Sequence, residues 1–403
     1  MSDPWLTIIG MGEDGVAGLS AASQAALGRA EVIMAPQRHL DLVVNAPLTT
    51  SVPAGTDLIP WPVPYADGIA ILASLRGQKV VVLASGDPFW FGAGSVIARS
   101  FGAHEWTSLP GVSCFSLAAA RLGWPLETTA CLGLHAAPME RLRRHLAPGA
   151  RLIVTLRDGD AVYALASYLG ASGFADSTLH VMEHLGGPQD RLTSARAADI
   201  AGPFDHPVCA AIEVAGNGAV LTAATGQTDD TFLNDGQITK RPIRAITLST
   251  LAPKPGEHLW DIGGGSGSIA LEWLLAHPTT TATTVEPRQD RAARIAENAA
   301  SLGVEHRLTI VQGAAPDVLD GLKAPAAIFV GGGLSAQVLD AVTAVPARIV
   351  VNAVTLEGEA LLAAAQAAHG GALTRIAISH AAPLGPKRGW NASYPVVQWS
   401  LDR

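Results

Sequence analysis

Short apolar runs and stretches of helical period alternate along almost the whole chain. In the first half, runs at 5–9, 32–35, 80–84, 151–155, 179–183 and 207–214 predict strands, the one at 80–84 continuous enough to be buried on both faces. Residues 21–27, 114–122 and 161–169 predict helices, the first with Ser20 as its N-cap. After residue 240 the order is regular. A helix over 244–251, with Pro242 near its first turn, precedes strand 258–262, helix 269–276, strand 281–285 and helix 289–302. Strands 308–311 and 326–330, helix 334–344, strand 348–351 and helix 357–368 follow, and strands 373–379 and 394–401 are expected to pair antiparallel at the sheet edge. Both halves are therefore expected to be α/β.

Between them, residues 222–235 are rich in Thr, Asp and Gly and show little apolar periodicity. The expected division is a first domain over 1–220, a linker over 221–235 and a second domain over 236–403. Phe232 and Leu233 give the linker a means of docking on one neighbour.

Composition narrows the function. A length of 403 residues suggests two or three domains, and 48% hydrophobic with only 15% charged residues describes compact globular domains. The net charge of −8 argues against a nucleic-acid partner, whose phosphates demand a basic surface. Cys114, Cys131 and Cys209 are odd in number and widely spaced, which speaks against a disulfide framework or zinc site and for a reducing compartment. No export-type leader is expected, since residues 1–9 lead almost directly into a strand without a positively charged start, and no unbroken apolar run reaches about 18 residues. A cytoplasmic protein with no membrane span is expected.

The stretch 258–268, His-Leu-Trp-Asp-Ile-Gly-Gly-Gly-Ser-Gly-Ser, carries the clearest chemistry. A strand ends beside Asp261, glycines follow, and a helix begins, so backbone N–H groups can approach a ligand closely. Gly265 to Ala270 also fits the dinucleotide pattern G-x-G-x-x-A, and Glu286 at the next strand end suits a ribose in either reading. Asp261 decides between them: an acid before the glycines suits a cationic amino-acid group and repels a pyrophosphate. A purely structural turn does not need three consecutive glycines. The stretch resembles the class I S-adenosylmethionine methyltransferases.

In the first half, Gly10-Met-Gly12-Glu-Asp-Gly15 fits G-x-G-x-x-G, but the acid near the second strand, Glu31, stands at its start, so the dinucleotide reading fails. Ser85-Gly86-Asp87-Pro88 follows a buried strand, and Pro110-Gly-Val-Ser113 leads into the helix 114–122. In isolation a Gly-Asp-Pro triplet is most often a turn. In this order and spacing the three loops, with Ala118 to Gly123, resemble the class III tetrapyrrole methyltransferases. Gly12 to Ser20 and Arg38-His39-Leu40 resemble the branch that acts on precorrin-6Y, although other class members more often carry Gly-Pro-Gly after the first strand. The resemblance implies two α/β subdomains with the cofactor in the cleft between them.

The second half resembles the decarboxylating precorrin methyltransferases through Ile238-Thr239-Lys240, Trp260 to Gly263, Phe329 to Gly333 and Asn352 to Glu357. It implies a Rossmann-like sheet of seven strands with the last reversed. Gly313-Ala314-Ala315-Pro316 stands where class I enzymes usually place an acid beside adenine, which leaves no side-chain contact to adenine there. From residue 5 to 399 the chain resembles the fused precorrin-6Y methyltransferases of cobalamin biosynthesis. The resemblance implies methylation of precorrin-6Y at carbons 5 and 15, with loss of carbon dioxide from the ring C acetate to give precorrin-8.

It also implies two S-adenosylmethionine sites, one per half. Cofactor contacts are expected at Gly10, Gly86, Asp87 and Ser113, and at Thr239, Asp261, Gly263, Gly264, Gly265, Ser266, Gly267, Glu286, Gly313 and Ala314. The polycarboxylate substrate directs attention to Lys240, Arg241, Arg244, Gly332, Asn352 and Arg388, the last beside Lys387 in an expected loop, although most basic clusters are solvated helix ends and loops. Transfer from a sulfonium needs no metal and no covalent nucleophile, only positioning. Catalytic residues stay unassigned; His380 and Glu357 are candidates for handling the proton of decarboxylation. Both methyltransferase classes commonly self-associate, so a homo-oligomer is expected. A class I RNA methyltransferase, a non-catalytic S-adenosylmethionine sensor and a nicotinamide-dependent oxidoreductase are the rival readings; acidic charge opposes the first and Asp261 the last.

Overall fold

A computed structural model describes residues 4–46 and 52–402. The chain forms two compact units, one of Met1–Met139 and His145–Ala219, the other of Glu140–Arg144 and Val220–Arg403.

The first unit contains two sheets. Strands β1 (Leu6–Met11), β2 (Val32–Ala35), β3 (Asp57–Pro60), β4 (Val80–Ser85) and β5 (Trp106–Leu109) make an all-parallel sheet in the order β3-β2-β4-β1-β5. Helices α1 (Ala21–Leu27), α2 (Gln37–Val44), α3 (Asp67–Ser74) and α4 (Gly94–Ser100) connect and cover it, whereas α5 (Cys114–Leu122), which follows β5, packs its Phe115, Ala118 and Ala119 against Ile153, Met182 and Cys209 of the unit's second sheet. Alternation along β1 and β4 sends Ile9, Val81 and Leu83 into one core and Leu6, Ile8, Val80 and Val82 into another. Each such side chain contributes about 1.5–3 kcal/mol on full burial, which is why these strands read as unbroken apolar runs. The Ser20 hydroxyl accepts from Ser23 N–H at 3.2 Å, the expected cap of α1. Strands β6 (Thr129–Gly133), β7 (Arg151–Thr155), β8 (Thr178–Glu183), β9 (Arg191–Arg196) and β10 (Val208–Glu213) form a mixed sheet in the order β6-β7-β10-β8-β9, with helix α6 (Asp160–Ala171) following β7.

The second unit holds helices α7 (Arg241–Leu251), α8 (Ser268–Ala276), α9 (Gln289–Ser301), α10 (Ala336–Thr343) and α11 (Leu356–His369). Its strands are β11 (His258–Ile262), β12 (Thr281–Glu286), β13 (Leu308–Gln312), β14 (Ala327–Val330), β15 (Arg348–Ala353), β16 (Ala372–Ile376), β17 (Ser379–Leu384), β18 (Lys387–Ala392) and β19 (Val396–Leu401). Seven of them make one sheet in the order β13-β12-β11-β14-β15-β19-β16, and β19 alone runs against its neighbours. Trp260, Ile262, Ile328 and Val330 enter one core, while Leu259, Ala327 and Phe329 enter the other. The order reverses at β11, so the loops after β11 and β14 border a crevice at the carboxyl ends of the strands.

Strand β19 pairs antiparallel with β16 at the sheet edge, as expected, and lies between β15 and β16. Two features differ from the sequence reading. Strands β17 and β18 form a separate antiparallel ribbon that carries Lys387 and Arg388, which are therefore not in a loop. This ribbon is exposed on both faces and shows no buried alternation to read. Residues 221–235 pack as part of the second unit: Phe232 is buried among Leu248, Leu251 and Trp273, and Gly226 and Gln227 N–H donate to the Glu272 carboxylate at 2.5 and 2.9 Å.

Candidate functional site

In the second unit the turn after β11 requires glycine. Gly263, Gly265 and Gly267 have φ of 75°, 59° and 76°, the left-handed region that a Cβ disfavours. An added Cβ on Gly263 would also stand 2.6 Å from the Gly332 backbone, so the loops after β11 and β14 touch through two glycines. Gly263 and Gly264 N–H donate to the Val285 carbonyl at 2.9 and 3.1 Å, fastening the turn to β12.

Glu286, at the end of β12, is buried and accepts from Gly265 N–H at 2.8 Å and Arg288 N–H at 3.1 Å. These bonds orient the carboxylate and leave lone pairs for hydroxyl donors. Asp261 is 1% exposed, and its Oδ2 has no hydrogen-bond partner among the described residues; Ser266 Oγ shares that condition. Burial first, and the Glu286 charge in addition, push the Asp261 carboxyl up to about 7 against a hydrogen bond from the Ala270 backbone. Two acids and an unpartnered hydroxyl around a glycine cradle suit a ligand with an ammonium group and ribose hydroxyls. The fit to S-adenosylmethionine is good on these grounds.

The other expected residues divide. Gly332 lies against Gly263. The Gln237 carbonyl stands 3.4 Å from an added Gly265 Cβ, which brings the segment leading to Thr239 against the turn. Gly313 N–H donates to the Glu286 carbonyl at 3.2 Å, placing Gly313 and Ala314 beside that strand end. Lys240, Arg241 and Arg388 are exposed, as are Glu357 and His380.

Arg244 is corrected. Its side chain is wholly buried, ion-paired with Glu272 at 2.5 Å and Asp229 at 3.0 Å, hydrogen-bonded to the Gln227 and Thr239 carbonyls, and stacked over Phe232 at 4.9 Å. It holds the 221–240 segment and has no surface to offer a substrate. Asn352 is likewise used internally, donating to Thr247 at 2.9 Å and accepting from Gln398 at 2.9 Å. In this unit the sequence reading missed Glu272, whose signal was an acid inside the apolar run of α8.

In the first unit the carboxyl ends of β1, β4 and β5 converge on glycines. An added Cβ on Gly10 would overlap the Gly86 carbonyl oxygen and the Gly111 nitrogen, and Gly111 N–H donates to that carbonyl at 3.2 Å. A cavity of about 470 Å³ opens beside them, lined by Ser85 and Gly86 at the end of β4 and by Met182 of β8 and Cys209 of β10. Gly10, Asp87 and Ser113 do not line it. The Asp87 carboxylate accepts from Phe89 N–H at 2.8 Å and Ser113 caps α5 through Ser116 N–H at 3.1 Å, so both side chains brace loops where cofactor contacts were expected.

Aromatic and basic groups complete the cleft. Trp61 stacks on Tyr65 with centroids 4.6 Å apart, and Trp90 lies 4.9 Å from Phe115. Arg38 pairs with Glu13 and donates to Ser85 at 3.0 Å; burial lowers its pKa to about 10. Arg157, His135 and His206 also line the cavity. Flat apolar faces beside cations suit a conjugated ring with carboxylate edges. Apart from Arg38, these residues escaped the sequence reading because they come from strand ends and loops without a shared motif.

Comparison with known proteins agrees with this division. Residues 6–201 match the tetrapyrrole (corrin/porphyrin) methylase family, and residues 230–403 match the precorrin methyltransferase domain. A precorrin-6Y C(5,15)-methyltransferase [decarboxylating] of Sinorhizobium sp is 46% identical over 99% of this chain and 97% of its own length. The Mycobacterium tuberculosis H37Rv protein of the same name is 40% identical over 99% and 100%. The crystal structure of the C-terminal domain of precorrin-6Y C5,15-methyltransferase from Rhodobacter capsulatus is 50% identical and covers 45% of this chain and 100% of that domain, with a TM-score of 0.44. Identity at this level over the full length of both chains shows that the protein belongs to the decarboxylating precorrin-6Y C(5,15)-methyltransferase family.

Proposed function

We propose that each unit binds one S-adenosylmethionine, the first in the cleft beside Gly86 and the second at the turn 263–267, and that the two sites divide the family's reactions. The enzyme is an S-adenosylmethionine-dependent methyltransferase that converts precorrin-6Y toward precorrin-8 by methylation and decarboxylation. The observation that carries the two-site reading is that each unit has its own glycine-lined crevice at the carboxyl ends of parallel strands. The first unit methylates carbon 5; the second methylates carbon 15 and releases carbon dioxide. Along the chain the domain limits are 1–220 and 236–403, with 221–235 joining them and packed on the second. The protein acts in the cytoplasm on the tetrapyrrole without nucleic acid, and it self-associates.

S-adenosylmethionine supplies a methyl already activated on a sulfonium. The chain's own contribution is placement. In the second unit Asp261 pairs with the ligand's ammonium, Glu286 accepts from ribose hydroxyls, and the glycines admit backbone contact, with Thr239, Ser266, Gly313 and Ala314 bordering the site. Lys240, Arg241 and Arg388 meet substrate carboxylates. In the first unit Gly86 borders the methyl donor, Gly10, Asp87 and Ser113 brace its loop, and the aromatic wall holds the macrocycle. Fixing the nucleophilic carbon near the methyl converts an encounter into an effectively unimolecular step.

The test is the full chain with precorrin-6Y and methyl-labelled S-adenosylmethionine. Wild type is expected to add two labelled methyl groups and release one carbon dioxide. Asp261→Ala is expected to lose the carbon-15 methyl and the carbon dioxide, and Asp87→Ala to lose mainly the carbon-5 methyl. Loss of both methyl groups in each variant, with folding intact, contradicts the division.

A further inference from the structure

Methyl transfer to carbon leaves a proton to be disposed of. The S–CH3 bond breaks with its electrons staying on sulfur, which departs as a neutral thioether, while a carbon–carbon bond forms from the macrocycle's π electrons. The added positive charge is discharged when the macrocycle gives up one proton and keeps that bond's electrons. A proton acceptor at the transfer site therefore assists the step.

The first unit's cleft is lined by several titratable groups, and most are unsuited to this role. Glu13 is committed to Arg38 and lies 3.3 Å from His184. Burial pushes the Tyr65 phenol to about 12 and the Cys114 thiol to about 11, and raises the Cys209 thiol as well, so all three stay protonated. Arg38 and Arg157 are cations, the latter paired with Asp158 at 2.7 Å. His206 has its pKa lowered by burial and then by the Arg38 charge, which opposes proton uptake.

His135 differs from these. It follows β6, whose Gly133 lies opposite Thr155 at the end of β7, and Leu134 N–H donates to the Thr155 carbonyl at 3.0 Å. Its ring Nδ1 stands 3.0 Å from Thr155 Oγ1, so one residue fixes both the backbone and the imidazole. We propose that His135, held by Thr155 in the wall of this cleft, takes up the proton released when the cleft transfers a methyl group to the tetrapyrrole. With Nδ1–H donating to the Thr155 hydroxyl, Nε2 carries the lone pair that receives the proton. Partial burial lowers its pKa, so the imidazole enters the step neutral, and no arginine charge adds to that lowering as Arg38 does at His206. Thr155 is the positioning residue.

The proposal rests on the reading that this cleft is a methyl-transfer site, and the experiment separates the two. Full-length His135→Ala and His135→Gln are titrated with S-adenosylhomocysteine in an Asp261→Ala background, then assayed for carbon-5 methylation with the second site intact. Expected are unchanged binding, carbon-15 methylation and carbon dioxide release, with a fall in carbon-5 methylation of about 10²–10⁴-fold. Added imidazole should restore part of the rate to the alanine variant and none to the glutamine variant. Carbon-5 methylation within about threefold of wild type overturns the proposal, as does a loss that imidazole does not relieve and that accompanies weakened binding. Absence of any S-adenosylhomocysteine site in the Asp261→Ala parent removes the reading of the cleft itself.

Discussion

Arg244 and Glu272 form a buried ion pair, Nε to Oε1 at 2.5 Å, that joins α7 to the helix immediately after the glycine turn. The same guanidinium holds the Gln227 and Thr239 carbonyls and Asp229, so one side chain fixes the segment that approaches the cofactor turn.

Breaking this pair from one side leaves an uncompensated buried charge. Arg244→Ala or Glu272→Ala is expected to destabilise the second unit by about 3–5 kcal/mol, whereas Arg244→Met with Glu272→Leu should recover much of that loss. Denaturant unfolding of the single and double variants measures it. Equal losses in all three deny the pair its role.

Asp261 predicts a pH dependence of known sign. Its carboxyl is raised from the usual carboxylate range to about 7, so between about pH 4 and 7 the folded unit holds a proton that the unfolded chain has lost. Stability of the ligand-free unit should fall as pH rises through that window and level off above 7, and Asp261→Asn should abolish the slope. Thermal unfolding across pH 4–8 reads it. Binding of a cationic ligand beside Asp261 should release the proton, so affinity at this site should increase toward pH 8.

Gly263→Ala puts a Cβ 2.6 Å from the Gly332 backbone at a φ of 75°. A strain of about 1–3 kcal/mol is expected, together with loss of ligand binding at the second site only. Retained binding there would mean that the loops after β11 and β14 yield without disturbing the site.

Glu286→Ala removes the acceptor of two backbone N–H groups and of the ribose hydroxyls. Affinity for S-adenosylhomocysteine at this site should drop at least about tenfold, in line with the 1.5–3 kcal/mol of a charged hydrogen bond. Calorimetry on the variant checks this, and unchanged affinity would remove Glu286 from the site.

Sequence revealed the elements that are buried or capped. The β1, β4 and β11 runs are apolar because both faces are covered, and Ser20 and Ser113 announce helix starts. The turn at 263–267 was legible because its dihedrals leave glycine as the natural choice. Partnership across distance was not. Arg244 looked like one more member of a basic cluster, since its partner Glu272 lies 28 residues away. The ribbon β17–β18 escaped notice because both of its faces meet solvent, and Trp61, Tyr65, His135 and Arg157 meet only in the folded cleft.

The central claim is that the chain carries two independent cofactor sites. Calorimetric titration of the intact protein with S-adenosylhomocysteine, repeated on Asp87→Ala and Asp261→Ala and with NAD as control, tests it most directly. Two sites are predicted, one weakened by each substitution, with no binding of NAD. A single site sensitive to both substitutions, or binding of NAD without S-adenosylhomocysteine, would contradict it.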